Sequence, residues 1–242
     1  MQIVITMAGL GTRFKKAGYT VPKYEIEVRS RSLFAWSMES LEGYYSDDND
    51  YYFIVRAEDD ASDFIRNEWR RTGHKEDRVR VIELDHMTDG QATTAMLAAP
   101  YWKKDEPLMI YNIDTYVEAG QLKTGDIIGD GFIPCFHAPG DHWSFVALDE
   151  AGNAVEVREK ERISDNCTLG AYYFATCALY ERMYEQYYGD GANMEKGEKY
   201  VAPLYNHMIM QGMKVRICLV DPASVHVLGT PEELNEFEKI LH

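Results

Sequence analysis

Residues 2–23 read QIVITMAGLGTRFKKAGYTVPK. An apolar, strand-like run leads directly into a turn that contains Gly9 and Gly11. Because glycine lacks a Cβ atom, the backbone amides of such a turn can approach the anionic oxygens of a phosphate. Arg13 and Lys23 follow the turn and would add fixed positive charge. The stretch predicts that a nucleoside triphosphate binds at the end of the first strand.

Two common phosphate-binding loops do not fit this stretch. The dinucleotide fingerprint needs a third glycine at position 14, where Phe14 stands, and an acidic residue at the end of the second strand, where Val55 and Arg56 stand. The Gly-Lys-Ser/Thr string of the P-loop occurs nowhere in the 242 residues. A glycine pair alone is equally consistent with a simple tight turn. The prediction of a phosphate site therefore depends on the two cations, Arg13 and Lys23.

Composition limits the binding partners and the cellular compartment that the protein can have. The net charge of −15 disfavours nucleic acid or an anionic membrane surface, because both are bound by clustered Lys and Arg. No apolar run approaches the roughly 20 residues that span a bilayer, and no signal peptide is evident. The cysteines lack C-x-x-C spacing, as expected of reduced thiols. We expect one cytoplasmic domain over residues 1–242 with no membrane partner, and we leave a homo-oligomer open.

Apolar strand-like runs alternate with segments of helical periodicity. The runs cover residues 3–7, 51–55, 79–84, 108–113 and 215–220, and helices are predicted over 33–41 and 59–72. This alternation predicts a Rossmann-like α/β fold with a mixed, mainly parallel sheet flanked by helices. Four further runs, joined by short turns, cover residues 131–137, 144–148, 154–158 and 169–175.

The loop, the arginine and the Pro-Lys pair at residues 22–23 together resemble the nucleotidyltransferase family, which makes nucleotide sugars and related CDP-linked compounds. The resemblance implies a triphosphate held by backbone and hydroxyl groups of the loop and by two catalytic cations. Those residues are Ala8, Gly9, Gly11 and Thr12 for nucleotide binding, with Arg13 and Lys23 as the cations.

Polar residues that follow the later strands are the next candidates, because ligands of open α/β sheets bind beyond the carboxyl ends of the strands. The resemblance implies that Gly90 lies close to the nucleoside and that Gln91 reads the base. Its carboxamide both donates and accepts, which suits the Watson–Crick edge of a pyrimidine. A helix N-terminus capped by Thr88 or Asp89 is an equally consistent interpretation of the same residues.

Asp114 follows the fourth apolar run and is the candidate metal ligand. Mg²⁺ takes carboxylate, phosphate and water oxygens, and the resemblance implies that this aspartate holds it. Residues 225–234 resemble the closing segment of the family, but the position of the second metal aspartate holds Val227. The sequence leaves open whether Asp114 acts with phosphates and water alone, or whether Asp221 or His226 substitutes.

The resemblance places the acceptor on the middle block of strands. It implies that Lys160 grips the acceptor phosphate as a third catalytic cation and that Glu159 accepts hydrogen bonds from acceptor hydroxyls. The remaining acceptor candidates are His142, Asn166 and Gly170.

The implied reaction is in-line attack by an acceptor phosphate oxygen on the α-phosphorus of the triphosphate, with pyrophosphate leaving. An ionised phosphomonoester is already a nucleophile, so no general base is required. Residues 111–117, 140–145 and 162–166 resemble the bacterial, capsule-linked phosphoglutamine cytidylyltransferases. We therefore expect CTP, Mg²⁺ and phosphoglutamine, phosphocholine or a sugar phosphate, in capsule or surface polysaccharide synthesis.

Three alternatives stay open. The first is a sugar-1-phosphate nucleotidyltransferase that uses UTP or dTTP. The second is a sensor that binds a nucleotide sugar without turning it over, which the absence of the second metal aspartate would permit. The third is a glycosyltransferase, which the Pro-Lys pair and the missing D-x-D pattern disfavour.

Overall fold

The chain alternates strands and helices through its first half. The computed structural model describes residues 1–191 and 193–240. Its strands are β1 (Gln2–Thr6), β2 (Glu27–Val28), β3 (Arg31–Ser32), β4 (Asp50–Arg56), β5 (Val79–Leu84), β6 (Leu108–Asn112), β7 (Thr115–Val117), β8 (Gly131–His137), β9 (Ser144–Leu148), β10 (Ala154–Glu159), β11 (Asn166–Thr168), β12 (Ala171–Phe174), β13 (Val215–Leu219) and β14 (Val225–Val227). Its α-helices are α1 (Thr12–Lys16), α2 (Leu33–Glu39), α3 (Ser62–Arg71), α4 (Gln91–Met96), α5 (Cys177–Tyr188), α6 (Leu204–Met210) and α7 (Pro231–Ile240).

One large sheet organises the described residues. Its strand order is β10-β9-β11-β8-β12-β6-β1-β4-β5, and β13 pairs in parallel with β8. Of its ten strands in the described chain, only β10, β11 and β12 run against the direction of β1. The predicted mixed, mainly parallel sheet is therefore confirmed. Helices cover both of its faces.

The core explains why the middle residues of β1, Ile3 to Ile5, are all apolar. Along β1, Val4 packs with residues of α4, α5 and α6, whereas Ile3 and Ile5 pack with residues of α2 and α3. A parallel strand that is covered on both faces buries every side chain and shows no polar alternation. No helix within residues 1–191 and 193–240 is long and apolar enough to cross a membrane.

The predicted strand over residues 169–175 is shorter in the structure, where β12 covers Ala171–Phe174 and the separate strand β11 ends at Thr168. Strands β11 and β12 are separated at Gly170, whose φ is +76°. A Cβ atom at this position would lie 2.2 Å from Nδ2 of Asn112, so a side chain has no room there. Apolar residues lie on both sides of Gly170, so the sequence does not show where the strand begins. The close contact of Gly170 with Asn112 of β6 explains the break.

A small ribbon, which the sequence did not predict, places the closing segment next to β6. Strands β7 and β14 are antiparallel, with Thr115 opposite Val227. The amide of Leu228 donates to the carbonyl of Asp114 at 2.8 Å. Buried side chains of α7, among them Leu234 and Phe237, then anchor that helix in the same region.

Candidate active site

A cavity of about 580 Å³ lies at the carboxyl ends of β1, β5 and β6. This volume is within the usual range of small-molecule sites, about 300–1,000 Å³. Strands β1 and β6 are neighbours in register, with Thr6 opposite Asn112, so the segments that follow them meet. Ten of the residues predicted from the sequence line the cavity. They are Ala8, Gly9, Arg13, Lys23, Gly90, Gln91, Asp114, His142, Glu159 and Gly170.

The glycine turn after β1 faces open space. A Cβ atom built on Gly9 would meet no atom within 4 Å. Gly11 has a φ of +60° and is the N-cap of α1, and Thr12 is the first, exposed residue of that helix. These two predicted nucleotide ligands belong to the loop but are not among the residues that line the cavity.

The end of the cavity for which a nucleotide is predicted contains a hydrogen-bonded polar cluster. Nε2 of Gln91 donates to the hydroxyl of Thr6 at 3.2 Å and to Oδ1 of Asn112. The cluster joins the last residues of β1 and β6 to the first residue of α4. It therefore fixes the carboxamide of Gln91 at the cavity wall.

The helix N-terminus predicted after residues 88–89 is present, since α4 begins at Gln91, but the predicted cap by Thr88 or Asp89 is wrong. The N-cap of α4 is Gly90, with no side-chain cap. The carboxylate of Asp89 instead accepts from the hydroxyl of Thr93 and forms an ion pair with Lys199 at 2.8 Å. Gly90 has a φ of +139°, and a Cβ atom there would lie 2.4 Å from the carbonyl oxygen of Lys199. Only glycine fits this position without displacing the backbone opposite.

Asp114 is held by one of the predicted cations. Nζ of Lys23 lies 2.9 Å from Oδ2 of Asp114. Burial alone would raise the pKa of Asp114, but the charge and hydrogen bond of Lys23, with a smaller contribution from Arg13, lower that pKa below its ordinary value. The carboxylate is therefore anionic at neutral pH.

The part of the cavity for which an acceptor is predicted is built by the antiparallel strands and by residues 197–200. Glu159, at the end of β10, accepts a hydrogen bond from the hydroxyl of Ser144. Its burial raises the pKa of this carboxyl, although the Ser144 hydrogen bond and the nearby Lys160 act in the opposite direction. Trp143 packs on Phe136 with ring centroids 5.1 Å apart and lines the cavity.

Two predicted acceptor residues lie outside the cavity lining. Nζ of Lys160 donates to the hydroxyl of Tyr200 at 2.8 Å, and it is Tyr200 that lines the cavity. Asn166 donates to the carbonyl of Val146 at 2.9 Å and thereby ties β11 to β9. Lys160 thus contacts a residue of the cavity wall but is not itself part of that wall. The side-chain amide of Asn166 stabilises the pairing of β11 with β9.

Solved structures of known proteins share this fold over the whole chain. No family model and no curated protein matches the sequence. A nucleoside-diphosphate-sugar pyrophosphorylase of Vibrio cholerae RC9 is 33% identical, with a TM-score of 0.89, over 98% of this chain and 99% of its own. The chain belongs to the nucleotidyltransferase superfamily. It is an enzyme of the nucleotidyltransferase class, as the sequence predicted.

More distant structures support the fold alone. The inositol-1-phosphate CTP transferase of T. maritima is 15% identical, with a TM-score of 0.78, over 99% of this chain and 94% of its own. A protein of Bacillus anthracis assigned as a glucose-1-phosphate thymidylyltransferase is 14% identical, with a TM-score of 0.79, over the same shares. Neither identity is high enough to transfer a substrate to this nucleotidyltransferase.

The two substitutes considered for the missing metal aspartate do not reach the site. Asp221 is exposed, and its carboxylate accepts from the amide of Ala223 at 3.0 Å. His226 is buried against Tyr116 and lies 3.3 Å from a carboxylate oxygen of Glu118. Neither of these two side chains lines the cavity, whereas Val227 does.

The residues around Asp114 fit Mg²⁺. A second carboxylate, that of Glu233, lines the same cavity, and its Oε2 atom is buried without a hydrogen-bond partner. Hard oxygen donors are the ligands that Mg²⁺ prefers, and one or two protein carboxylates are usual for it. No group of three or more His, Cys, Asp or Glu suited to a metal occurs in the described ranges. Beside Asp114, the described residues of the nucleotidyltransferase therefore offer Glu233 as the candidate second carboxylate.

Sequence reasoning missed several residues of the site. Thr6 and Asn112 could have been found, because each is the polar last residue of an apolar strand, the feature that identified Asp114. Glu198 and Tyr200 come from an irregular segment after α5, and no pattern in the sequence marks them. Glu233 occurs in a T-x-x-E pattern, which predicts only a helix cap.

Proposed function

We propose that this nucleotidyltransferase joins CTP to a small phosphomonoester in an Mg²⁺-dependent reaction that releases pyrophosphate. One observation carries the proposal. A single cavity has a glycine turn, two cations and an anionic aspartate at one end, and a separate set of acidic and aromatic side chains at the other. Two anionic substrates would therefore meet between the two ends.

The chemistry needs positioning and neutralisation of charge. The amides of Ala8 and Gly9, with Arg13 and Lys23, would hold the triphosphate so that its α-phosphorus faces the acceptor end. The acceptor phosphate is ionised at neutral pH and attacks without a general base. Mg²⁺, when bound, would neutralise phosphate oxygens, and Asp114 would hold it. Catalysis by such positioning is the usual logic of phosphoryl transfer.

The polar cluster supports cytosine as the base. Both hydrogens of the Gln91 amino group are used, one by Thr6 and one by Asn112. The carbonyl oxygen of Gln91 then remains to accept a hydrogen bond. The exocyclic amine of cytosine is such a donor, whereas uracil and thymine present a carbonyl at the same place. We therefore rank CTP above UTP and dTTP.

The acceptor end supports a substrate with donor or cationic groups. The carboxylates of Glu159 and Glu198 accept hydrogen bonds, and Trp143 and Tyr200 offer aromatic faces to a cation. Phosphoglutamine, phosphocholine and sugar phosphates all meet this description. The resemblance of residues 111–117, 140–145 and 162–166 ranks phosphoglutamine first, with a role in capsule or surface polysaccharide synthesis in the cytoplasm.

A second candidate function has an observation in its favour. The Vibrio protein, which is 33% identical to this chain, is a nucleoside-diphosphate-sugar pyrophosphorylase. A sugar 1-phosphate with UTP or dTTP is therefore the next pair to test. A sensor without turnover is the third reading, and it is favoured only by Val227 at the position of the second metal aspartate.

Pyrophosphate release tests these functions in one panel. The protein and Mg²⁺ are incubated with CTP, UTP, dTTP, GTP or ATP, each crossed with phosphoglutamine, phosphocholine and several sugar 1-phosphates. We expect the highest rate with CTP and phosphoglutamine, and none after chelation of Mg²⁺. Release only with UTP or dTTP and a sugar 1-phosphate would select the second function. Nucleotide binding without release for any pair would contradict an enzyme acting on these acceptors and favour the sensor.

A further inference from the structure

The first turn of α7 brings a second carboxylate next to Asp114. A Cβ atom built on Gly229 would lie 3.4 Å from Oε2 of Glu233 and 3.7 Å from Oδ2 of Asp114. Both oxygens therefore border the same small space at Gly229. Each of the two acidic residues also lines the cavity.

One oxygen of the Glu233 carboxylate is buried without compensation, although the residue as a whole is partly exposed. Its Oε2 atom is buried and has no hydrogen-bond partner, whereas Oδ2 of Asp114 is paired with Lys23. Leaving a buried polar atom unpaired is unfavourable, and more so for a charged group. Leu234 and Phe237 are buried in the core and hold the helix that carries Glu233 beside the cavity. A cation at the cavity wall would remove the cost.

The position that the family uses for its second aspartate is filled by an apolar side chain. Strand β14 carries Val227 to the cavity wall, and valine offers no oxygen to a metal. We infer that Glu233 takes over this role and is the second acidic ligand of Mg²⁺ beside Asp114. The inference rests on the proposed function, since the proposed reaction is what requires the ion.

A purely structural role for Glu233 makes a different prediction. The amide of Glu233 donates to the hydroxyl of Thr230 at 3.1 Å, so the two residues have the spacing of a capping box. In that motif the glutamate carboxylate bonds back to the amide of the cap residue, and glutamine serves as well as glutamate. A neutral amide replaces an anionic Mg²⁺ ligand poorly. Glu233→Gln therefore preserves the cap and removes the proposed ligand.

The experiment uses Mn²⁺ as a probe for the Mg²⁺ site. Free Mn²⁺ is titrated by electron paramagnetic resonance against the wild type, Glu233→Gln and the matched control Glu232→Gln, without nucleotide or acceptor. Glu232 is exposed on the same turn and does not line the cavity. We expect Glu233→Gln to weaken Mn²⁺ binding by about tenfold or more. Glu232→Gln should bind as the wild type does, and all three should melt at similar temperatures without metal.

A rescue variant separates loss of a ligand from damage to the helix. Adding Val227→Asp to Glu233→Gln supplies a carboxylate at the family position and should restore most of the Mn²⁺ affinity. A Glu233→Gln protein that binds Mn²⁺ as tightly as the wild type would overturn the inference. So would a weakened variant that also melts lower and that Val227→Asp does not rescue.

The test is independent of turnover, so the two proposals fail separately. Weakened Mn²⁺ binding in Glu233→Gln together with a silent substrate panel would retain the ligand assignment and reject the proposed reaction. An active panel together with unchanged Mn²⁺ binding in Glu233→Gln would retain the reaction and reject the ligand.

Discussion

The two ends of the cavity are built in different ways. At the nucleotide end, Thr6 and Asn112 are paired in register on neighbouring parallel strands and are joined by the carboxamide of Gln91. At the acceptor end, Glu159 closes an antiparallel strand and faces residues of an irregular segment that includes Tyr200. The first end is fixed by the sheet itself. The second depends on the packing of segments that are distant in the sequence. We therefore expect substitutions to alter the ligand preference of the acceptor end more readily.

The largest expected effect comes from Asp114, which lies at the nucleotide end beside Lys23. Asp114→Asn keeps the size of the side chain but removes the charge that pairs with Lys23 and would hold Mg²⁺. We expect turnover to fall by about 1,000-fold or more, with the fold intact by circular dichroism. Asp221→Asn is the control and should stay within about threefold of wild type. Near wild-type activity in Asp114→Asn would refute the metal assignment.

Arg13 tests the nucleotide end by itself. Its side chain lines the cavity beside the glycine turn, whereas the neighbouring Lys16 does not. Arg13→Ala should lower kcat/KM for the nucleotide by about 100-fold and leave the KM of the acceptor nearly unchanged. Lys16→Ala is the matched control on the same helix. Steady-state kinetics with each substrate varied in turn checks this prediction. An equal rise of the KM values for nucleotide and acceptor would contradict a role of Arg13 at the nucleotide end alone.

Glu159 tests the acceptor end in the same way. Glu159→Gln keeps an oxygen for Ser144 but removes the charge, so the KM of the acceptor should rise by about tenfold. The affinity for the nucleotide, measured by calorimetry without acceptor, should not change. Exposed Glu161, which does not line the cavity, provides the control Glu161→Gln. A loss of nucleotide affinity in Glu159→Gln would show that the two ends are not separate.

The smallest expected effect is the pH dependence of stability that Glu159 confers. Burial raises the pKa of Glu159 above its ordinary value of 4.5, so the folded protein binds the proton more tightly than the unfolded chain does. Its contribution is therefore most favourable below that ordinary pKa and is lost as pH rises through the raised one. Urea unfolding at about pH 4, 5, 6 and 7 should show Glu159→Gln gaining stability relative to wild type as pH rises. A stability difference between the two proteins that does not change with pH would contradict a buried Glu159 carboxyl with a raised pKa.

The same contrast explains what could be predicted from the sequence. The glycine turn and Asp114 were predicted because each follows an apolar strand at the carboxyl edge of the sheet, and Lys23 was predicted from the Pro-Lys pair of the resemblance. Lys160 and Asn166 do not line the cavity, because the sequence of a short antiparallel strand and its flanking residues does not reveal which side chains face a ligand; their roles stay predictions. Tyr200 and Glu233 come from elements far along the chain, and only tertiary packing brings them to the site.

The position of a label in the products tests the central claim most directly. CTP is labelled on its α-phosphate or on its γ-phosphate and incubated with Mg²⁺, phosphoglutamine and the enzyme. The proposed reaction predicts that the α-label passes into a CDP-linked product, while the γ-label leaves in pyrophosphate. A γ-label that appears in the acceptor, with CDP released, would show attack at the wrong phosphorus and contradict the assignment of the two ends of the cavity.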